Sequence, residues 1–339
     1  MTATEAIAAF DEFCRQERYL KETTRDVYTR QLRRFARAYP DRFPEDITRM
    51  DINEHVGTFV AHNELNTARS HQTVIRLFFK WFTERVRPDL DNPAANVKQI
   101  REETKIPNVP APSEIMRMIY SCDLATHQGR RDAALMALLA DTGIRRGECE
   151  RLKVGNVIPR EDHMLLIVPR VKTHERQVPF CKLDDTWLMS EIFLSYWMEI
   201  TTVGNELTQG TPFRPTDPLF MADGVKVAGG AIRQSGIYTM VRKYARKAGL
   251  TNISPHSFRH YYGTYSYLNG TNLKDLKELM GHALIDTTLR YVHWSNVISG
   301  KVLSHTATAG MKAPEHMRGF VKMFKDIQTA QNGTRDGKK

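Results

Sequence analysis

Only four cysteines occur in the 339-residue chain, Cys14, Cys122, Cys149 and Cys181, and none has Cys-x-x-Cys spacing, so neither a zinc knuckle nor a disulfide framework is indicated. No apolar run approaches the ~20 residues of a membrane span, and the N-terminus has no basic-then-apolar signal pattern. A soluble protein of a reducing cytoplasm, with no membrane partner, is expected. A carboxylate cluster and a Gly-x-x-x-x-Gly-Lys-Ser/Thr loop are also missing, which argues against metal-dependent nuclease chemistry and ATP hydrolysis; no metal and no cofactor is expected. Acid is in deficit, with 39 Asp+Glu against 49 Lys+Arg and a formal net charge of +10. The two signs nearly balance before about residue 105, so the surplus lies mostly in the second half. Such a charge points to an anionic partner, nucleic acid first.

The length suggests two domains. The first hundred residues read as helices, one capped by Thr2 or Thr4 and running to about Tyr19, and a second from Thr23 or Thr24. On the second, Val27, Tyr28, Leu32 and Phe35 are apolar, while Arg30, Arg33, Arg34 and Arg37 recur at three- and four-residue steps. Those arginines are either a solvated face or a row of phosphate contacts. A later helix over about Thr67 to Val86 buries Val74, Leu77, Phe78, Trp81 and Phe82 and carries Arg69, His71, Gln72, Arg76 and Lys80 on its other side, where they could meet a groove. Prolines at 88, 93, 107, 110 and 112 then interrupt the chain. From Ser113 helices return, one of them ended by Gly143. After Leu152 short β-like runs, Leu165 to Val168 and Gln177 to Phe180, predict a hairpin. The fold class is therefore mainly α with a small antiparallel β-sheet.

Three runs carry the chemistry: Thr142-Gly143-Ile144-Arg145-Arg146-Gly147-Glu148; Pro255-His256-Ser257-Phe258-Arg259-His260; and Gly281-His282 followed by Asp286-Thr287-Thr288 and Tyr291-Val292-His293. Each presents cationic groups at a helix end, which suggests a phosphate site. Ser254 and Pro255 make a helix start, so His256 and Arg259 share a face one turn apart. Gly281 ends one helix and Asp286 can cap the next, which leaves His282 in the turn beside the helix bearing Tyr291. A phenol is a tolerable nucleophile and a good leaving group, so an ester it forms with phosphate stays reversible.

In this order and spacing the runs resemble the tyrosine recombinases, the family of phage integrases and Xer-type resolvases. The resemblance covers nearly the whole chain. It implies a helical, SAM-like core-binding domain over 1–90, a linker over 91–112, a mixed α/β catalytic domain over 113–330 and a disordered tail over 331–339. It assigns catalysis to Arg145, Lys172, His256, Arg259, His282 and Tyr291, with Tyr291 the nucleophile in preference to Tyr261, Tyr262, Tyr265 and Tyr267. Lys172 is the best match to the family's hairpin lysine, the proton donor to the departing oxygen, although Val171 and Thr173 replace the usual glycines. His256 accepts the tyrosine proton or bonds the scissile phosphate. Arg30, Arg34, Arg37, Arg69, His71, Arg76 and Lys80 become the expected DNA contacts of the first domain.

The implied activity is site-specific recombination of double-stranded DNA by a homo-tetramer, through a 3′-phosphotyrosyl intermediate and a Holliday junction. It would serve integration or excision of a mobile element or resolution of DNA in the nucleoid, with an accessory directionality factor as a further possible partner. Two alternatives share some of these features: a type IB topoisomerase-like strand transferase, and a catalytically silent DNA-binding regulator. The segment from Met317 to Ile327 resembles either the tail that family members dock on a neighbouring subunit or a self-capping helix.

Overall fold

The computed structural model describes residues 1–298 except 63, 102–107, 170–174, 184–187, 205–207 and 223–229, and beyond them Gly319, Lys322 and Met323. It divides into two compact units, Met1–Lys105 and Ile106–Lys339. Lys172 and the expected tail over 331–339 lie outside the described residues, as does most of Met317 to Ile327.

The first unit is helical: α1 (Ala3–Gln16), α2 (Glu22–Ala38), α3 (Arg49–Ala61) and α4 (Leu65–Trp81), the last extended by a wider turn over Phe82–Val86. Local chemistry fixes the helix starts. Thr2 accepts from the Glu5 amide while Glu5 reaches back to the Thr2 amide, and Thr48 with Asp51 does the same for α3. One core joins Phe10, Leu32, Phe35, Ile52, Phe59, Phe78 and Phe79. Part of the stretch read as linker belongs to it: Ala94 and Val97 are buried there, and the Gln72 side chain bridges the Lys98 carbonyl and the Ile100 amide.

The arginines of α2 expected at DNA, Arg30, Arg34 and Arg37, are exposed, as is Lys80, whereas Arg69 is half-buried. Arg34 lies over the Phe59 ring, 4.5 Å from its centroid. Arg76 is half-buried and donates to the Val97 carbonyl. His71 overturns its expectation. It is 4% exposed, packs on Phe59, and shares a 3.4 Å hydrogen bond with the equally buried His55. The reason is that α4 packs against both α2 and α3, so its buried arc reaches past the aromatic stripe to His71 and Gln72.

Burial, the neighbouring His71 and Arg34 hold His55 near a pKa of about 4, and burial and Arg34 do the same for His71. Both values lie below the ordinary 6.5, so the folded state refuses protons that the unfolded chain accepts. The stabilisation is complete above about pH 6.5 and is lost as pH falls toward about 4. The urea midpoint should report roughly 3 kcal/mol less stability at pH 5 than at pH 7.5, and a His55→Gln/His71→Gln double variant should flatten that fall. Parallel pH profiles for the two proteins would contradict it.

The second unit opens with α5 (Pro112–Tyr120), α6 (His127–Thr142) and the short α7 (Arg146–Cys149). Three antiparallel strands follow, β1 (Val157–Pro159), β2 (Met164–Val168) and β3 (Arg176–Phe180), in the order β1-β2-β3. Leu166 pairs with Val157 on one side and Val178 on the other, so Met164, Leu166, Val168, Val178 and Phe180 turn one face into the core. The helices α8 (Leu188–Met198), α9 (Gln234–Lys247), α10 (Pro255–Leu268), α11 (Leu273–Met280) and α12 (Ile285–Ile298) complete it. At the centre, α6 packs against α8 and α10 along its buried run Ala133 to Ala140. The four cysteines are buried free thiols. No helix among the described residues is long and apolar enough to cross a membrane, and no group of three potential metal ligands occurs among them.

Candidate active site

Four backbone features aim the site. Gly143 ends α6 with φ +57°, after which Arg145 reaches the end of α11. Pro255 starts α10, which places Arg259 in its second turn. Asn272 caps α11, whose other end is closed by Gly281 at φ +63°. Replacing Gly143 by alanine would force a left-handed conformation on a side-chain-bearing residue and drive its Cβ into the Tyr262 ring. A thermal melt of Gly143→Ala should show a loss of about 2–3 kcal/mol, and an unchanged melting temperature would contradict the packing.

The C-terminal carbonyls of α11 have no helical donors left to them. Three arginines from different elements take them in succession. Arg176 Nε donates to the Leu279 carbonyl at 2.8 Å, Arg259 Nη2 to Met280 at 2.6 Å, and Arg145 Nη2 to Gly281 at 2.9 Å. Arg259 also donates to the Gly143 carbonyl at 2.6 Å and is 3% exposed. Glu148 ties two of these cations together. Its carboxylate accepts from Arg145 Nη1 at 2.9 Å and from the Arg145 amide at 2.8 Å, while Arg176 grips both oxygens at 3.0 and 2.8 Å. Burial would raise the Glu148 pKa, but Arg176 and Arg145 outweigh it and hold it at about 2. Glu148 thus serves as the structural partner of its basic neighbours.

Tyr291 lies in this nest. It is 3% exposed, and its ring stacks on that of His282 with centroids 6.0 Å apart and planes 8° from parallel. The ring occupies a place that only glycine leaves open, since a Cβ on Gly263 would come within 2.6 Å of it. Burial raises its pKa, while Arg259 and Arg145 act in the opposite direction. His282 shares a 2.9 Å hydrogen bond between Nδ1 and the Thr288 hydroxyl. Burial, then Arg259, Arg145 and Arg176, push it down to about 3, so the ring is neutral. His256 sits at the mouth of the site with its pKa lowered by burial, Arg259 and Arg145. It packs edge-on against His260, 4.3 Å between centroids, and His260 lies 6.2 Å from Tyr291.

Arg145, His256, Arg259, His282 and Tyr291 are thus brought together from the ends of α6 and α11 and from α10 and α12. The tyrosines of α10 pack elsewhere or at the edge: Tyr261 and Tyr265 lie on each other in the main core, Tyr262 is buried under Gly143, and Tyr267 is partly buried against the cluster that holds Tyr262 and Tyr291. Sequence reasoning passed over Arg176. One signal was present: Arg176, Val178 and Phe180 share the inward register of β3, and a cation on that register requires a buried partner. A pair of arginine forks beside a phenol and neutral imidazoles can bind a phosphodiester and present it to an oxygen nucleophile.

Two family models account for most of the chain: the phage integrase family over residues 111–296, and the phage integrase N-terminal SAM-like domain over residues 7–89. The tyrosine recombinase XerD of Neisseria meningitidis serogroup B is 30% identical over 295 residues, covering 85% of this chain and 94% of that protein. Among solved structures, the XerH site-specific recombinase bound to palindromic difH substrate in a post-cleavage complex shares the fold, with a TM-score of 0.65, 18% identity, and 86% and 82% of the two chains covered. A lambda integrase tetramer bound to a Holliday junction does so with a TM-score of 0.64, 17% identity, and 86% and 77% covered. With both halves matched in order, and the arginines, histidines and tyrosine meeting at one helix end, the chain belongs to the phage integrase family of tyrosine recombinases, enzymes that cleave and rejoin DNA.

Proposed function

We propose that this tyrosine recombinase performs site-specific strand exchange with Tyr291 as nucleophile, and that Arg145 and Arg259 clamp the scissile phosphate. Tyr291 Oη attacks the phosphorus in line with the departing 5′ oxygen and forms a 3′-phosphotyrosyl ester. The phenolic proton passes to His256, and Lys172 protonates the leaving oxygen, a step worth ~10²- to 10⁴-fold. Neutral His282 hydrogen-bonds a non-bridging oxygen. The free 5′ hydroxyl of a partner strand then attacks the ester, returning the proton to Tyr291. One phosphate ester is exchanged for another at each step, so nothing beyond the DNA need supply energy. Four copies on two sites carry out the two rounds through a Holliday junction, as the lambda integrase tetramer on such a junction suggests for this chain.

The observation that carries the reading is the meeting of Arg145, Arg259 and the stacked His282–Tyr291 pair at the C-terminal turn of α11. The test is to incubate the protein with fragments from around its own gene, quench in detergent and sequence the DNA left covalently attached. Attachment at one discrete position, absent from Tyr291→Phe, is the expected result. Attachment that survives in Tyr291→Phe would remove Tyr291 from its role, and relaxation of plasmids without joint molecules would remove strand exchange.

A further inference from the structure

We propose that Arg176 is a positioning residue for the reaction: from the first inward position of β3 it fixes the aim of Arg145 through Glu148 and holds the turn carrying His282 through the Leu279 carbonyl. This rests on the reading of Arg145 and His282 as phosphate ligands. The side chain is 5% exposed and its guanidinium uses its three nitrogens on two different elements, Nη1 and Nη2 on Glu148 of α7 and Nε on the end of α11. It also lies directly under the turn, since a Cβ on Gly281 would stand 2.9 Å from its Nη1. No ammonium can make these bonds together, because they need a planar fork with donors pointing in two directions.

The electrostatics give the residue a role beyond packing. Glu148 is one carboxylate shared by two guanidinium groups, and Arg176 takes both of its oxygens. While it does so, Arg145 is held at one oxygen by Nη1 and keeps Nη2 on the Gly281 carbonyl, facing the turn. Without Arg176, Glu148 would be a buried anion with Arg145 as its remaining side-chain cation. Arg145 would then be drawn into a two-pronged pair, turned from Gly281, and much of its charge would be cancelled before any phosphate arrived. The Leu279 carbonyl would lose its donor at the same time, freeing the turn that orients His282. A cleft of about 670 Å³ between β3 and α11, lined by Arg176, Lys277, Glu278, Leu279 and His282, opens beside it.

Two variants test this, with two readouts. In the free protein, ¹³Cε1-labelled histidines are followed by NMR between pH 8 and pH 5, with His282→Gln for assignment. The wild-type His282 signal should stay flat, whereas in Arg176→Gln it should begin to move at the acid end of that window, because one of the cations that hold it neutral is lost and its turn is freed. With DNA, single-turnover cleavage is measured on the attached site and on the same site bearing a neutral methylphosphonate at the scissile position. Arg176→Lys, which keeps the charge and fold, should bind the site within ~2-fold of wild type and cleave the natural phosphate ~10-fold or more slowly. Its deficit should shrink to ~3-fold or less on the methylphosphonate, which makes less demand on aimed cations. A flat His282 signal in Arg176→Gln, or wild-type cleavage by Arg176→Lys, would overturn the proposal. So would equal deficits on the two phosphates accompanied by a lowered melting temperature, the mark of a purely architectural arginine. The NMR arm needs no DNA, so it decides the positioning even if no cleavage site is found, an outcome that would count against the reading of the whole site instead.

Discussion

Tyr291→Phe should bind its DNA site as tightly as the wild type and form no covalent adduct with it. The substitution removes one oxygen and leaves the ring, and the ring does the packing: it stacks on His282 and fills the place left open by Gly263. Arg259, the nearest cation acting on the phenol, keeps its bonds to the Gly143 and Met280 carbonyls, so the clamp stays in place. The expected cost in stability is therefore about 1 kcal/mol or less. Loss of the proposed nucleophile is another matter: among the described residues the Thr288 hydroxyl is engaged with His282 and Tyr262 is buried under Gly143, and cleavage should fall by on the order of 10⁴-fold or more. A detergent gel with end-labelled DNA measures it. An adduct of normal yield would mean that another hydroxyl attacks, and tryptic mapping would then identify it.

Removing either arginine of the clamp should slow cleavage by ~10²-fold or more, but the two losses should differ in what else they damage. Arg259 is buried and supplies two carbonyls, so Arg259→Ala should also cost ~2–4 kcal/mol of stability. Arg145 keeps 30% of its side chain exposed and supplies one carbonyl besides its pair with Glu148, so Arg145→Ala should fold with a loss nearer ~1 kcal/mol. Arg259→Lys separates charge from geometry. Burial and the adjacent Arg145 already hold the arginine at about 10, and the same surroundings must depress a lysine, whose ordinary value is lower. The lysine is useful only when protonated. Activity of Arg259→Lys should be highest at the acidic end of the working range and fall as pH rises through the lowered lysine value, whereas the wild type shows no such loss. Matching pH profiles would show that Arg259 does not act through its charge.

The parts legible in the sequence are those written locally. Thr2, Thr48, Pro255 and Asn272 start helices by short-range hydrogen bonding or fixed φ, and Gly143 and Gly281 end them, so neighbouring residue types alone suffice to place the motif residues on helix ends. A short apolar run marks β2 and alternating burial marks β3, but neither signal reaches β1, three residues ending in proline, whose identity as a strand depends on its pairing with Leu166 and Met164. His71 is misread because periodicity assigns a helix one apolar face, and α4 is covered on two. Arg176 and Glu148 form a pair 28 positions apart in sequence, and no spacing rule reaches across the sheet to join them. Tyr291 is singled out from the four tyrosines of α10 by its motif. Its burial against Gly263 is not, because that depends on how α10 and α12 cross.

The three arginines that end on Leu279, Met280 and Gly281 bond to main-chain oxygens, which every amino acid possesses. Their aim is therefore indifferent to which side chains stand at positions 279 and 280, provided that the helix stops where it does. Packing still constrains Met280, fully buried beside Tyr262 and Tyr291, but the exposed positions Lys274, Asp275 and Glu278 are free to drift, while a single inserted residue in α11 would rotate all three acceptors away together. The site should accept substitution on the exposed side of this helix far more readily than it accepts a change of length.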